Sequence, residues 1–559
     1  SDEDLMRIKS QYEADFIEGY ETVADKASAI VHYSLYNADK INVSDELSAY
    51  LSITREDIMR VYAKYIKNKN AVILDIKTSN PFSESKDSLI SFNPYTPKVI
   101  KTDPQYNGLK YHKPVETIDR DNPPNILEPK SVNVPEYYTE KFDNEMEIIG
   151  MHTNSPIVKI LIDIEGGSLI ENKKGVASMT ASLMNEGTKN FSTEDISNEL
   201  DKIGSSISFM YRGTSNSILI SSLNENLDKT LDILQEKLFN PGFIEEDFDR
   251  LKKNMIQDEE NIEKNRQTVA RRIFRKKIFG DNAYGGHPFK KDIKKIKIKD
   301  LKKYYEANYS PSITNLVIVS NFSKEEILEK LGFLKKWKAK AVNIPSNFDF
   351  PKAIPTQIFI CDFPGSTQSS VLIGHKSLKY DYNGEAFKNK ILNYPLGGNG
   401  LTSRLSKIRE EGGETYGIGS HFGNDKYGGY FGISSNISTK GTVKSIAELI
   451  AITQDYIQNG VKEDELTLTK QNMINSELMG YESNYDKLFL LLSIISNDLP
   501  KDYSELQKVI INSMQESNIN KLAQKSIKPN EFIIVIAGNK YVIQDELKGL
   551  GYKITEIKY

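Results

Sequence analysis

Residues 397–422 read Gly-Gly-Asn-Gly-Leu-Thr-Ser-Arg-Leu-Ser-Lys-Ile-Arg-Glu-Glu-Gly-Gly-Glu-Thr-Tyr-Gly-Ile-Gly-Ser-His-Phe. Leu401, Leu405 and Ile408 share one face at helical spacing, and Gly412-Gly413 ends that helix. Tyr416, Ile418, Ser420 and Phe422 then alternate as a strand. A glycine-rich turn before a helix suggests a phosphate cradle, yet neither G-x-x-x-x-G-K-[ST] nor G-x-G-x-x-G spacing is present. A tight turn leading into a solvated helix is the competing reading.

Outward from this stretch the chain repeats itself. Leu5, Lys9, Gly19, Tyr20, Glu21 and Lys26 recur as Leu466, Lys470, Gly480, Tyr481, Glu482 and Lys487, an offset of 461 residues. The same register pairs Val72-Ile73-Leu74 with Ile533-Ile534-Val535. An offset of 243 sets Leu5 and Lys9 against Phe248 and Lys252, and Ile73-Leu74 against Leu316-Val317. Each copy reads as a long amphipathic helix, further helices and a β-rich strand. About a hundred residues precede the second and third copies, with strands expected near 158–164 and 429–434 and a helix over 443–457 closing at Gly460. The first copy has no such preceding half, so the chain is expected to begin inside a domain, and its charged opening Ser1-Asp2-Glu3-Asp4 points to a natural N-terminus elsewhere.

Nine of the twenty prolines lie in residues 77–145, a density that favours an extended linker over a sheet interior. The expected organisation is therefore the end of one domain at 1–76, a linker at 77–145, and two full repeats at 146–345 and 346–559. The single cysteine, Cys361, excludes an intrachain disulfide and a cysteine-built zinc site. Apolar runs such as 488–492 and 532–537 fall far short of the ~20 residues that cross a bilayer. With 73 Lys+Arg against 77 Asp+Glu, the net charge of −4 gives no reason to bind nucleic acid. The basic runs 271–277 and 290–303 have acidic residues between or beside them and read as solvated helix faces.

The six histidines, at 32, 112, 152, 287, 375 and 421, read as loop or surface residues. No two lie within five residues, so no helical pair of zinc-binding imidazoles can be drawn.

Residues 397–422 resemble the C-terminal half of the pitrilysin-type metallopeptidases (the M16, or inverzincin, family): a glycine-rich turn, Ser-Arg-Leu, then an arginine and a tyrosine seven residues apart, here Arg409 and Tyr416. The resemblance implies that these two side chains reach a substrate carbonyl beside a zinc ion. Residues 175–188 resemble the same family's zinc helix in frame but not in chemistry. Ser178 and Ser182 stand where H-x-x-E-H has histidines, and Ala181 where it has the glutamate. The family's third ligand falls near Asp258-Glu259, where a lone carboxylate reads as an exposed helix charge. The counterpart near 385–393 also lacks histidine.

The resemblance implies an α+β fold of repeated α/β-roll metallopeptidase-like domains, with antiparallel-rich sheets packed by helices, forming one half of a clamshell. The three pieces would be the end of domain two, domain three and domain four, with no cofactor in this chain and zinc held by the intact enzyme. The implied function is the peptide-binding, non-catalytic half of a zinc metalloendopeptidase, partnered by an N-terminal catalytic half or an active peptidase subunit and by peptide substrates. The alternative is a catalytically dead homologue serving as partner or scaffold. Family precedent points to the periplasm or cell envelope of a bacterium, with the cytoplasm as the alternative.

Overall fold

The computed structural model describes residues 1–36, 43–74, 119 and 133–559, so most of the expected linker, with His112, lies outside the described residues. Residues 1–52 and 131–559 form one compact unit, and 53–130 form another. The chain opens with α1 (Asp2–Glu18), α2 (Val23–Tyr36) and α3 (Val43–Ser52) in the first unit and α4 (Arg55–Tyr65) in the second. The first full repeat runs β1 (Tyr138–Lys141), β2 (Glu147–His152), β3 (Ile157–Glu165), α5 (Val176–Met184), α6 (Thr193–Lys202), β4 (Ser206–Tyr211), β5 (Ser215–Leu223), α7 (Leu227–Phe239), α8 (Glu245–Ile262), α9 (Arg266–Phe279), α10 (Lys290–Ile293), α11 (Ile298–Asn308), β6 (Thr314–Ser320) and α12 (Lys324–Lys330). The second runs β7 (Gln357–Asp362), β8 (Gln368–Ser377), α13 (Glu385–Asn393), α14 (Lys407–Gly412), β9 (Thr415–Asn424), β10 (Gly429–Ser438), α15 (Thr442–Asn459), α16 (Glu463–Ser476), α17 (Asn484–Ser496), α18 (Tyr503–Ser513), α19 (Glu516–Ser526), β11 (Ile533–Gly538), α20 (Lys540–Lys548) and β12 (Lys553–Glu556).

The repeat register holds at the level of element boundaries. The offsets of 243 and 461 carry the first helix from Asp2 to Glu245 and Glu463, the second from Val23 to Arg266 and Asn484, and the fourth from Arg55 to Ile298 and Glu516. Capping supports these starts. Ser1 and Thr54 each close a capping box with an aspartate three residues on, and Ser483 does the same ahead of α17.

Two six-stranded mixed sheets result, ordered β1-β2-β6-β3-β5-β4 and β12-β7-β11-β8-β10-β9. In the first, only the β2–β6 pair is parallel; in the second, β11–β7 and β12–β7 are. Both faces of each sheet are covered, which explains why the central strands are apolar almost without alternation. On the first sheet, Ile148, Ile160, Leu316 and Ile318 face the repeat's own helices. Their neighbours Ile149, Met151, Leu161, Val317 and Val319 face Leu488, Leu491, Leu492 and Ile494 of α17, from the other repeat. The second sheet is the mirror case. Ile358, Ile360, Ile534 and Ile536 face inward to its own helices, while Phe359, Cys361, Ile533, Val535 and Ala537 receive Val269, Ala270, Ile273, Phe274 and Ile278 of α9. The repeats thus exchange their second helices, and each fully buried Leu or Ile in the exchange contributes about 1.5–3 kcal/mol.

This exchange corrects the reading of 271–277 as a solvated face. Ile273 and Phe274 are buried, Arg275 lies over the Phe279 and Tyr284 rings, and Lys277 lies 4.1 Å from the Phe359 ring centroid. Arg275 meets Phe279 one helical turn on, whereas the ring under Lys277 comes from the other repeat and is not revealed by local sequence. A second correction concerns the linker. β1 falls within 77–145 yet pairs antiparallel with β2, and Phe142 is buried. Four polar-leaning residues at a sheet edge carry too little hydrophobic pattern to be read as a strand. A third concerns Val72, Ile73 and Leu74, which are almost fully exposed and form no ladder among the described residues. Their counterparts in β6 and β11 are central strands with a neighbour on each side.

α1 docks on the first repeat through α6. Lys202 pairs with Glu3 at 2.6 Å, Arg7 donates to Asn198, and the buried Lys159 of β3 pairs with Glu18 at 2.7 Å.

Candidate functional site

The stretch 397–422 folds as a chain of short turns, not as the single helix expected from Leu401 to Gly412. One-turn helices at Gly400–Thr402 and Arg404–Ser406 precede α14, and the side chain of Leu401 lies outside the described ones. Ser403 and Ser406 explain the interruption. Their hydroxyls donate to the carbonyls of Gly400 and Ser403, closing local turns that compete with a continuous helix. Leu405 and Ile408 are nonetheless buried as the periodicity requires. Gly413 ends α14 at φ +65°, a conformation that favours glycine, and its N–H caps the Arg409 carbonyl at 3.2 Å. Gly397 is needed for a close approach, since a Cβ there would lie 2.7 Å from the Ser420 backbone nitrogen.

The two arginines of this stretch are in opposite situations. Arg404 is held by Glu465 through Nε and Nη2, each at 2.7 Å, donates to the Gly460 carbonyl, and stacks 4.8 Å from the centroid of buried Tyr456. It is an anchor between α16 and the glycine-rich turn. The guanidinium of Arg409, on the exposed side of α14, has no hydrogen-bond or ion-pair partner among the described residues.

Tyr416 is 89% exposed, although alternation would place it on the same buried face as Ser420 and Phe422. The register supplies the reason. Ile418 pairs with Ser435 but Thr415 with Ile437, so Tyr416 and Gly417 together oppose the single residue Asn436. The β-bulge turns Thr415 inward, where it bonds Ser435 at 2.8 Å, and re-aims Tyr416 outward. The chain between the two side chains is pinned. The Ser438 N–H donates to the Glu414 carbonyl at 2.9 Å, and Asn393 and Ser420 exchange two 2.7 Å bonds between α13 and β9. Arg409 and Tyr416 therefore project from a rigid frame at the edge strand of the second sheet.

Next to this edge, a cavity of about 590 Å³ lies between α9 and the β8–β10–β9 face. Gly417, Ile418 and His421 line one wall, and Arg271, Phe274 and Arg275 the other. Sequence reading did not single out Arg271 and Arg275 for this place. The available signal was the repeat register: the 243- and 461-residue offsets together equate α9 with α17, and both carry an apolar face too long for their own repeat to cover.

Ser178, Ala181 and Ser182 all lie on α5, and they do not fit a zinc ion. The Ser178 hydroxyl donates to the Gly175 carbonyl at 3.1 Å, and Ala181 is buried with no donor atom. Asp258 is exposed as expected, whereas Glu259 corrects its reading. It is buried and grips Arg272 with two 2.7 Å bonds, and Arg272 reaches on to the Tyr559 hydroxyl at 2.9 Å. A carboxylate saturated by a guanidinium is not available to a metal. Among the described residues no cluster of three or more His, Cys, Asp or Glu could hold one.

The histidines also differ from the surface reading in two cases. His375 is buried, bonds the Lys376 carbonyl through Nδ1 and accepts from the Lys528 N–H through Nε2, so burial and this geometry hold it neutral. Burial pushes the His287 imidazole down to about 3, with Arg272 and Lys174 adding to the shift.

Glu171 belongs to the same α5 frame. Its carboxylate accepts from the Gly175 and Ala177 N–H groups at 3.0–3.1 Å, and burial raises its pKa to about 7 against those bonds. At the other end of the helix, the buried Lys237 donates to the Asn185 and Glu186 carbonyls at 3.0 Å each. The helix is retained as packing.

Residues 148–291 match the family model described as Insulinase (Peptidase family M16), and residues 295–473 that described as Peptidase M16 inactive domain. The Helicobacter pylori protein named Non-peptidase homolog YmxG is 24% identical over 383 residues, covering 67% of this chain and 87% of its own. The beta subunit of the Saccharomyces cerevisiae mitochondrial-processing peptidase is 30% identical over 193 residues, 33% of this chain and 41% of its own. The crystal structure of a peptidase M16 inactive domain from Pseudomonas fluorescens superposes with a TM-score of 0.66 at 21% identity, covering 72% of this chain and 98% of that one.

Proposed function

This chain belongs to the M16 peptidase family as a non-catalytic member, and from that premise we propose that it is the peptide-binding half of a zinc metalloendopeptidase, completing a chamber whose metal and water-activating carboxylate sit on another domain. The observation that carries the reading is the pair Arg409 and Tyr416. Both are exposed and rigidly based, and neither contributes to packing. A guanidinium and a phenol are donors suited to a peptide carbonyl and the oxyanion that develops on it. Arg409 stands before β9 and Tyr416 on it; β9 is the edge strand of the second sheet, where an extended peptide can add by main-chain hydrogen bonds beside Tyr416, clear of Ser420, whose carbonyl Asn393 already holds.

A second reading is that of a dead homologue that serves as partner or scaffold to an active peptidase chain. It is favoured by the likeness to a non-peptidase homologue over 87% of that protein's length. Both readings are tested by mixing the purified chain with the H-x-x-E-H-bearing M16 chain of the same genome. The peptide-binding half is expected to cleave nothing alone, to bind a labelled peptide, and to confer peptidase activity that Arg409→Ala abolishes. Full activity with Arg409→Ala supports the scaffold, and hydrolysis by the isolated chain with stoichiometric zinc refutes both.

A further inference from the structure

The second helix of each repeat has one job in the two complete copies. In α9, Ala270, Ile273 and Phe274 bury themselves on the second sheet, and in α17, Leu488, Leu491 and Leu492 do so on the first. The 243 and 461 offsets map both trios onto Ala27, Ile30 and Val31 of α2. There the burial is missing. Ile30 is 55% and Val31 58% exposed, where Ile273 is 5% and Leu491 0%. Val23 and Leu35 extend the same exposed stripe by one turn at either end.

α2 is nevertheless held in place. Tyr33 is buried, meets the Tyr20 hydroxyl at 3.1 Å and donates to Glu46. Glu21, just before α2, accepts from the Asn484 N–H at 3.0 Å and so ties its start to that of α17. We propose that this stripe is a docking surface for the open face of a six-stranded M16-type sheet outside residues 133–559. The occupant follows from the two internal precedents. A second copy of this chain does not qualify, because both of its sheets already have both faces covered. The inference rests on the reading of a catalytic M16 partner and names the element that grips it.

The test titrates wild type, Ile30→Asp and Ala24→Asp with the H-x-x-E-H-bearing M16 chain of the same genome, read by calorimetry. Ala24 aligns with Gln267 of α9 and Tyr485 of α17, both exposed, and serves as the control. Ile30→Asp is expected to weaken binding at least ~10-fold, because it buries an unpaired carboxylate, while Ala24→Asp binds as wild type. A photo-crosslinking residue at position 31 is expected to capture strand residues of the partner's sheet, which keeps the test informative should Ile30→Asp lower the melting temperature. Equal affinity of Ile30→Asp and wild type, or capture of a segment that is not a sheet strand, overturns the docking surface and leaves the partner reading standing. No binding by wild type overturns both.

Discussion

Tyr416→Phe separates a reacting role from a structural one with a single oxygen atom. Tyr416 is 89% exposed on a bulged edge strand, so the substitution removes no buried contact and should change stability by less than about 0.5 kcal/mol. Tyr456→Phe is the internal contrast. Its hydroxyl donates to the buried Leu392 carbonyl at 2.8 Å, and losing that bond should cost about 1–1.5 kcal/mol. If Tyr416 donates to an oxyanion, the phenylalanine variant should lower kcat by roughly 10²–10³, equivalent to about 2.7–4 kcal/mol. The assay is kcat and KM of the peptidase assembly on several peptides, with Tm followed in parallel. The expected pattern is a fallen kcat with unchanged Tm for Tyr416→Phe and a fallen Tm for Tyr456→Phe. Full kcat with Tyr416→Phe on all peptides would refute the assignment and leave Tyr416 as an ordinary strand residue.

Leu491→Ala opens a cavity under the exchanged helix and should cost about 2.7–5 kcal/mol in urea unfolding, and a loss below about 1 kcal/mol would show that α17 does not pack on the first sheet in solution. Arg404→Ala leaves Glu465 without its buried partner and should lower Tm, whereas Arg409→Ala should not; equal Tm values for the two variants would contradict their opposite environments. Glu171 has a folded pKa of about 7 against an ordinary 4.5, so below pH 4.5 it is protonated in both states and costs nothing. Between about pH 4.5 and 7 the unfolded carboxyl ionises first and stability falls, by at most roughly 3 kcal/mol, a loss that Glu171→Gln should remove. Identical pH dependence of unfolding in wild type and Glu171→Gln would place the carboxyl in a more polar setting than its burial indicates.

The parts of the fold legible in the sequence are those written as periodic apolar pattern. The offsets that pair Leu5 with Leu466 also place the starts of α1, α8 and α16, because an acidic first turn and the helix face behind it recur together. The contacts between repeats were not legible. Nothing local in 271–277 says that Lys277 will lie on an aromatic ring, since that ring, Phe359, belongs to β7 of the other repeat. At the site, Arg409 and Tyr416 were named from motif spacing, but the bulge that turns Tyr416 outward depends on the register with β10, which no residue of 397–422 encodes alone. Glu259 was misread for a related reason: its partner Arg272 lies on the next helix, beyond the reach of any periodicity within α8.

The exchange of second helices also sets a timetable for synthesis. β6 completes the first sheet at Ser320, but the helix that covers its outer face begins at Asn484. At about 5–20 residues per second, the ribosome needs on the order of ten to thirty seconds to supply it. Through that interval Ile149, Met151, Leu161, Val317 and Val319 form a bare apolar plane on the nascent chain. The first sheet can therefore bury its outer face only once the second repeat has been made, and until then it carries the kind of exposed apolar surface that makes folding intermediates prone to aggregate.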